Sequence, residues 1–240
     1  MQAAIDLEAY FARIGYAGPR TPTRATLDAI TAAHAEAIPF ENLDVLLGRP
    51  IELELAAIFA KLVTRHRGGY CFEQNGLLMA VLRALGFTVR PLSARVRSRE
   101  PDRSIPVART HLLLEVLLDG EPWITDVGVG STSLTAALRL RPDEVQATPH
   151  ESRRFQRANG LWYHQILRDG AWADVCEFTG ETMPLIDRVV ASWYTSTHPA
   201  SSFRQRLVAA RANADGTRST LLNAVLTLRD NDGPRWQRTL

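Results

Sequence analysis

The stretch that decides the fold of this chain is Arg67-Gly68-Gly69-Tyr70-Cys71-Phe72-Glu73-Gln74-Asn75. It joins a glycine pair, a thiol and the start of a predicted helix. Glycine lets the backbone turn sharply and lets a neighbouring segment approach closely. The N-terminus of a helix carries a partial positive charge, so a cysteine placed there ionises more easily. The stretch therefore predicts that Cys71 is a reactive thiolate at the mouth of a helix.

A histidine and an aspartate later in the chain complete a possible catalytic set with Cys71. His111 and Asp126 each lie in an apolar run that is typical of a strand. The order Cys, His, Asp is the one expected of a thiol nucleophile, its base and an orienting carboxylate. A hairpin turn at Asp119-Gly120 would fold the two strands together and place residue 113 opposite Asp126. Since residues 111 and 113 share one face of a strand, we expect the side chains of His111 and Asp126 to point the same way.

The composition is that of an ordinary globular protein with no strongly charged partner. The net charge is only +2, from 28 basic and 26 acidic residues, so we expect neither nucleic acid nor a membrane as a partner. Two cysteines far apart in sequence do not suggest a disulfide framework, which favours a reducing compartment. The first residues, Met1 to Tyr10, lack the pattern of a signal peptide, and we expect a cytoplasmic protein.

The spacing of apolar residues divides the chain into a helical first third and a β-rich middle. Three- and four-residue spacing predicts helices over residues 6–14, 23–38, 53–64 and 71–85. Strand patterns follow over residues 87–96, 111–118, 123–129, 155–157, 161–167 and 171–178, with Asp169-Gly170 as a second hairpin turn. A helix over residues 187–194, continuing through 199–208, and a terminal strand over 220–228 complete the prediction.

This order of elements indicates an α+β protein with boundaries near Gly86 and near Pro184. We expect a helical domain over residues 1–86 that carries the nucleophile, a β domain over 87–184 that carries His111 and Asp126, and a short α/β piece over 185–240.

The other candidate residues have simpler interpretations. Cys176 lies within a strand pattern and is expected to be inert core. None of the histidines has a partner at metal-ligand spacing, so we expect no zinc site. His198, before Pro199, fits structural capping and ligand contact equally well. The glycine loop, residues 128–132, is typical of a tight turn, but it directly follows Asp126, so its amides could bind an anion beside the same cleft.

Taken together, these residues resemble the arylamine N-acetyltransferase family along most of the chain. The resemblance is carried by Ile38-Pro39-Phe40-Glu41-Asn42-Leu43-Asp44, residues 67–75, Thr110-His111, Asp126-Val127-Gly128 and Trp193-Tyr194-Thr195-Ser196-Thr197-His198-Pro199. It implies a papain-like Cys-His-Asp triad that serves acetyl transfer, built on a helical bundle, a β-barrel and an α/β lid. It implies acetyl-CoA as the donor and arylamines, arylhydrazines or arylhydroxylamines as acceptors, with no metal.

Family resemblance also suggests which residues contact the substrates. Thr110, Gly128, Gly130 and Ser131 are expected to contact coenzyme A, and Phe40 and Val129 to line the acceptor pocket. An aromatic residue usually stands where Val129 does, so the pocket should be wider or differently shaped. The chain ends at Leu240, earlier than is usual, so the lid should be short and its hold on coenzyme A weaker.

The triad supports three functions that the sequence leaves open. The first is ping-pong acetyl transfer, in which Cys71 attacks the thioester, His111 handles the protons and Asp126 orients His111. The second is a cysteine hydrolase or transglutaminase-like enzyme with the same triad. The third is a non-catalytic acyl-CoA-binding module. In each case Glu41 and Arg67 are expected to form an ion pair that anchors the loop before Cys71.

Overall fold

The first third of the molecule is helical, as the apolar spacing predicted. A computed structural model describes residues 5–231 and 233–240. Its helices are α1 (Leu7–Ile14), α2 (Arg24–Ala37), α3 (Leu43–Leu46), α4 (Leu55–Phe59), α5 (Cys71–Ala84) and α6 (Leu185–Thr197). A π-helical turn over Ala60–Thr64 extends α4, so the predicted helix over residues 53–64 is present with a local change of hydrogen bonding.

Short polar residues and glycines set the helix ends. The Asp6 side chain accepts a hydrogen bond from the Ala9 amide at 3.0 Å and so begins α1. Thr23 begins α2 in the same way, through the Thr26 amide at 3.3 Å. Gly86 adopts a left-handed φ of 88° just after α5, which ends that helix where the sequence predicted.

A seven-stranded antiparallel sheet forms the middle of the molecule. Its strands are β2 (Thr88–Val96), β3 (His111–Leu118), β4 (Glu121–Thr125), β5 (Leu138–Arg139), β6 (Arg153–Ala158), β7 (Leu161–Arg168) and β8 (Ala171–Thr182), in the spatial order β5-β4-β3-β2-β8-β7-β6. Bridges from Pro142 to Phe155 and from Gln146 to Arg153 join the segment after β5 to β6, so the sheet is a nearly closed barrel.

Two hairpins fix the register of this barrel. Asp119 and Gly120 both have positive φ, 51° and 78°, as a tight hairpin turn requires, and β3 pairs with β4 through Leu114 and Thr125. Extended by one residue beyond the last observed pair, this register places residue 113 opposite residue 126, in agreement with the prediction. The combination of helices with an antiparallel barrel confirms the α+β class.

The C-terminal part forms a second sheet that includes residues from the helical region. Its strands are β1 (Phe40–Glu41), β9 (Val208–Ala212), β10 (Arg218–Leu222), β11 (Val225–Asp230) and β12 (Gly233–Thr239), in the order β1-β9-β10-β11-β12. In β1, Phe40 pairs with Ala210 of β9, which joins chain segments that are far apart in sequence. The division into domains 1–86, 87–184 and 185–240 stays a prediction.

Some element predictions were wrong. The predicted strand over residues 220–228 is two strands, because Asn223 turns the chain with a φ of 52° and asparagine tolerates this conformation. The predicted helix over residues 199–208 is a short 3₁₀ turn at Ser202–Arg204 that leads into β9. The predicted strand over residues 123–129 is β4, which begins at Glu121 and ends at Thr125.

None of the helices formed by residues 5–231 and 233–240 is long and apolar enough to cross a membrane.

Candidate active site

A tight turn before α5 places Cys71 as the first residue of that helix. A Cβ atom on Gly68 would lie 2.2 Å from the Pro39 carbonyl oxygen, so only glycine fits there. The Glu73 carboxylate accepts a hydrogen bond from the Tyr70 amide at 3.0 Å, which caps the first turn. The thiol of Cys71 is buried and donates to the Thr110 carbonyl at 3.7 Å.

His111 and Asp126 meet beside this thiol, as the sequence predicted. His111 is the first residue of β3, and Asp126 follows the last residue of β4. His111 Nε2 lies 2.6 Å from Asp126 Oδ2, and both side chains are fully buried. This contact leaves Nδ1 as the ring nitrogen that faces Cys71. The structure therefore brings the three predicted residues together at one point.

His111 and Asp126 each shift the pKa of the other toward the charged form. Burial by itself lowers the pKa of His111, but the Asp126 carboxylate and the hydrogen bond with Cys71 raise it to about 10. Burial raises the pKa of Asp126, yet His111, Asn75 and the Gly128 amide together hold that pKa below its usual value. At neutral pH the site therefore contains an imidazolium held by a carboxylate.

Asn75 is a fourth member of the site that the sequence reasoning missed. Its Nδ2 donates to Asp126 Oδ1 at 2.8 Å and to the Leu112 carbonyl at 2.6 Å. Its Oδ1 accepts from the Val127 amide at 3.0 Å. Asn75 lies four residues after Cys71, so the two share one face of α5, and this spacing was the available signal.

The glycine loop, residues 128–132, packs directly against the thiol. A Cβ atom on Gly128 would lie 2.7 Å from the Cα atom of Cys71, so a larger residue would push the loop away. A Cβ atom on Gly130, whose φ is +67°, would lie 3.7 Å from the Phe40 ring. The Gly128 amide already donates to Asp126 and the Val129 amide donates to Ser133. These two amides therefore already have partners within the protein, and anion binding by the rest of the loop stays a prediction.

The other residues that were predicted to contact coenzyme A or the acceptor are Thr110, Phe40, Val129 and Ser131. Thr110 lines a cleft of about 390 Å³ between the barrel and α6, together with Ser93, Arg109, Met183 and Tyr194. Phe40 is buried and its ring centroid lies 5.9 Å from that of Phe203. Val129 and Ser131 are half-buried.

Cys176 lies in the barrel core, and His198 lies at the end of α6. Cys176 is fully buried inside the barrel, where burial raises the pKa of its thiol well above the usual value. His198 ends α6: its amide donates to the Tyr194 carbonyl, and its ring stacks on Tyr194 with centroids 4.6 Å apart. The capping interpretation therefore accounts for His198. Across residues 5–231 and 233–240, no group of three or more His, Cys, Asp or Glu side chains is placed to hold a metal ion.

The predicted ion pair before Cys71 is confirmed. Arg67 Nη2 lies 2.8 Å from Glu41 Oε1 and 3.3 Å from Asp44 Oδ1. Glu41 Oε2 also accepts from the Leu43 amide at 2.6 Å, so this carboxylate joins β1, α3 and the turn before α5.

Known proteins are similar to this chain over nearly its whole length. A family described as N-acetyltransferase matches residues 23–240. The arylamine N-acetyltransferase of Mycobacterium tuberculosis is 47% identical over 212 residues, which cover 86% of this chain and 74% of that protein. The arylamine N-acetyltransferase of Escherichia coli is 42% identical over 234 residues, which cover 98% of this chain and 83% of that protein.

Solved structures show the same fold. The arylamine N-acetyltransferase structure from M. tuberculosis matches with a TM-score of 0.94 at 42% identity, covering 98% of this chain and 88% of that chain. The structure of the Mycobacterium marinum arylamine N-acetyltransferase in complex with CoA matches with a TM-score of 0.93 at 39% identity, covering 98% and 87%. By sequence and by structure, the chain belongs to the arylamine N-acetyltransferase family and is an acyltransferase.

Proposed function

We propose that the protein moves an acetyl group from acetyl-CoA to the nitrogen of an arylamine or arylhydrazine through a thioester on Cys71. The observation that carries this proposal is the buried contact of 2.6 Å between His111 and Asp126 beside the Cys71 thiol. An imidazolium next to a thiol stabilises the thiolate, which is the nucleophilic form of cysteine. The names of the relatives and the CoA complex of the M. marinum enzyme support the choice of substrates.

In the first half-reaction, the Cys71 thiolate attacks the carbonyl carbon of the acetyl thioester. The bond between that carbon and the sulfur of coenzyme A breaks, and the leaving sulfur keeps the bonding pair. His111 supplies the proton that it took from the Cys71 thiol, so free coenzyme A leaves as a thiol. The products are acetyl-Cys71 and coenzyme A.

In the second half-reaction, the amine nitrogen attacks the carbonyl carbon of acetyl-Cys71. His111 accepts the proton that the nitrogen loses, and the carbon–sulfur bond breaks with its electron pair returning to Cys71. The products are the acetylated amine and the original thiolate–imidazolium pair. Asp126 keeps His111 oriented through both steps.

The negative oxygen that forms in each step needs a hydrogen-bond donor. The amides of Gly128 and Val129 are occupied by Asp126 and Ser133. Cys71 is the first residue of α5, so its own amide has no partner within the helix. We assign the Cys71 amide as a donor to this oxygen, where the positive end of the helix dipole adds to the effect.

The contact residues predicted from the sequence fit this scheme. We propose that Thr110, Gly128, Gly130 and Ser131 contact coenzyme A, since Thr110 lines the cleft beside α6 and shares a contact with the Cys71 thiol. We propose that Phe40, whose ring lies against Gly130, and Val129 of the glycine loop line the acceptor pocket. Valine fills less space than an aromatic ring, which favours bulky acceptors.

Mass spectrometry of the protein after acid quenching tests the covalent intermediate. Acetyl-CoA alone should add one acetyl group, at Cys71, and release one equivalent of coenzyme A. Cys71→Ala should abolish the modification, whereas the matched control Cys176→Ala should leave it unchanged. Acetylation of Cys176, or no covalent adduct in the wild-type protein, would contradict the proposal. Continuous release of coenzyme A without an amine would identify a thioesterase instead.

A further inference from the structure

A single buried carboxylate, that of Glu151, gathers three arginines from different strands. Arg218 of β10 donates to it twice, at 2.6 and 2.8 Å, and Arg153 of β6 donates once, at 2.9 Å. Arg168 of β7 donates a longer hydrogen bond to the same carboxylate, at 3.4 Å. Glu151 side-chain exposure is only 4%, and those of Arg153 and Arg218 are 0% and 2%. We call these four residues the arginine cluster.

Two members of the cluster also hold the glycine loop. Arg168 Nη2 donates to the Ser131 carbonyl at 2.9 Å, and Arg153 Nη1 donates to the Thr132 carbonyl at 3.1 Å. These are consecutive carbonyls at the end of the loop. Hydrogen bonds from a charged guanidinium are stronger than those between neutral groups, so the loop end is firmly fixed.

The other end of the same loop contacts the reaction centre. Gly128 lies against the Cα atom of Cys71, and Gly130 lies against the ring of Phe40. The loop therefore joins the arginine cluster to the surface on which the acceptor would sit. By contrast, the described hydrogen bonds of Asn75, His111 and Asp126 do not include any of the arginines.

The cluster lies inside the protein apart from Arg168, whose side chain is 20% exposed. The Nε atoms of Arg153 and Arg168 and Nη1 of Arg218 have no hydrogen-bond partner and no contact with solvent. The negative charge of Glu151 is what holds the three arginines together, and they in turn hold its pKa far below the usual value.

We propose that Arg168, held in place by Glu151, is a positioning residue for the second half-reaction, because it fixes the glycine loop where the acceptor meets acetyl-Cys71. This inference rests on the proposed function. Arg153 supports the same loop from inside the barrel. Arg218 extends the support to β10 of the C-terminal sheet, the same sheet whose strand β1 carries Phe40.

Arg168→Met is the direct test. It removes the bond to the Ser131 carbonyl and leaves the bonds of Glu151 to Arg153 and Arg218. Arg229→Met is the matched control, because the side-chain exposure of Arg229 is 18%, against 20% for Arg168. Arg229 pairs with Asp169 at 3.1 Å and makes no described contact with the glycine loop. Two rates are measured in each variant: transfer from preformed acetyl-Cys71 to 4-methoxyaniline, and alkylation of free Cys71 by iodoacetamide.

Arg168→Met should lower the acetyl-transfer rate by about tenfold to hundredfold, which is the scale expected for a misplacement of roughly 1 Å. Alkylation should match the wild type, because the thiol, His111 and Asp126 keep their contacts. Arg229→Met should leave both rates unchanged. An equal loss of transfer in both variants, or a parallel loss of alkylation in Arg168→Met, would overturn the inference.

A second variant covers the case in which Arg168→Met does not fold. Arg168→Lys keeps the positive charge beside Glu151 but lacks the forked guanidinium. It should show the same selective loss of transfer, and normal transfer in it would also overturn the inference. If the wild-type protein forms no acetyl-Cys71 at all, the proposed function fails, which is a separate outcome.

Discussion

His111 is the residue on which the charges of the site depend. One ring nitrogen lies 2.6 Å from the Asp126 carboxylate, which leaves the other for the Cys71 thiol. With a pKa raised to about 10, the imidazole is protonated throughout the neutral range. The His111 imidazolium and the Asp126 carboxylate therefore lie next to the Cys71 thiol, and each of these two charges is stabilised by the other.

Asp126→Asn should reduce stability in a pH-dependent manner. The folded-state pKa of His111 is about 10, above its unperturbed value of about 6.5, so the stabilisation is complete below about pH 6.5 and is lost as pH rises through about 10. The pKa of Asp126 is lowered, so its contribution is present above about pH 3.9 and is lost only on further acidification. The wild-type advantage in Tm should therefore be largest between about pH 4 and 6.5.

Melting curves at about pH 5.5, 8 and 10 measure this difference, with Asp119→Asn as the control. Asp119 is exposed in the hairpin turn after β3, so that variant should match the wild type at every pH. A Tm difference for Asp126→Asn that stays constant up to pH 10 would show that His111 is not protonated by its contact with Asp126.

The sequence predicted that Cys71, His111 and Asp126 lie together, as the structure shows, but it did not predict the residue that supports them. Cys71 was visible from the glycines and helix start around it, and His111 and Asp126 from their strands and one hairpin turn. Asn75 was not recognised, because its spacing of four residues from Cys71 places it on the same helix face but does not identify its partner. The contact between Asn75 and Asp126 crosses 51 residues, and only the packing of α5 on β3 and β4 reveals it.

A group of ion pairs holds the turn before α5 in place. Arg67 holds Glu41 and Asp44, and Glu41 also holds the Leu43 amide. Lys61 adds a second link, with its Nζ 2.8 Å from Asp44 and 2.7 Å from Glu73. These ion pairs connect three elements that approach the N-terminus of α5, so they fix the direction in which the Cys71 thiol points.

Glu41→Gln should lower stability by about 1–3 kcal/mol, because it removes the charge from a buried hydrogen-bonded group. The effect is smaller than for a fully buried pair, since the Arg67 side chain is 32% exposed and Asp44 remains as a second partner. Urea denaturation measures the change. Glu8→Gln is the control, because the Glu8 carboxylate that pairs with Arg20 is 74% exposed and should contribute little. Equal denaturation midpoints for the two variants would contradict an anchoring role for Glu41.

Element prediction succeeded where one face was buried and failed where it was not. Helix α5 and the barrel strands bury long apolar runs, and the ends of α1, α2 and α5 carry capping residues or glycine. Most side chains of β10 and β11 are half-buried and most of those of β12 are exposed, so no buried face marks these strands in the sequence. The turn at Asn223 therefore went unrecognised between two strands that resembled one.

For the whole molecule, the key connection is between the first and last parts of the chain. Strand β1 precedes its partner β9 by more than half of the sequence, and β1 is only two residues long. A pairing this distant leaves no local pattern, because neither segment specifies its partner. The α+β class was predictable from the order of the elements, whereas this joining of the helical region to the C-terminal sheet was not.

Asn42 tests that connection, because it bonds across the whole chain. Its Nδ2 donates to the carbonyls of Phe203 and Arg206 at 2.7 and 2.8 Å, and its Oδ1 accepts from the Val208 amide at 2.8 Å. Asn42→Ala removes three hydrogen bonds to partly buried backbone groups, a loss on the order of 3 kcal/mol, or about 6–12 °C in Tm for a protein of this size. Melting followed by both far-UV circular dichroism and tryptophan fluorescence should show one shifted transition, because the two regions unfold together.

Gln237→Ala is the control, since Gln237 is exposed and makes one hydrogen bond of 3.2 Å within the same sheet. Two separate transitions in the wild-type protein, or equal Tm values for both variants, would mean that the C-terminal sheet folds independently of the helical region.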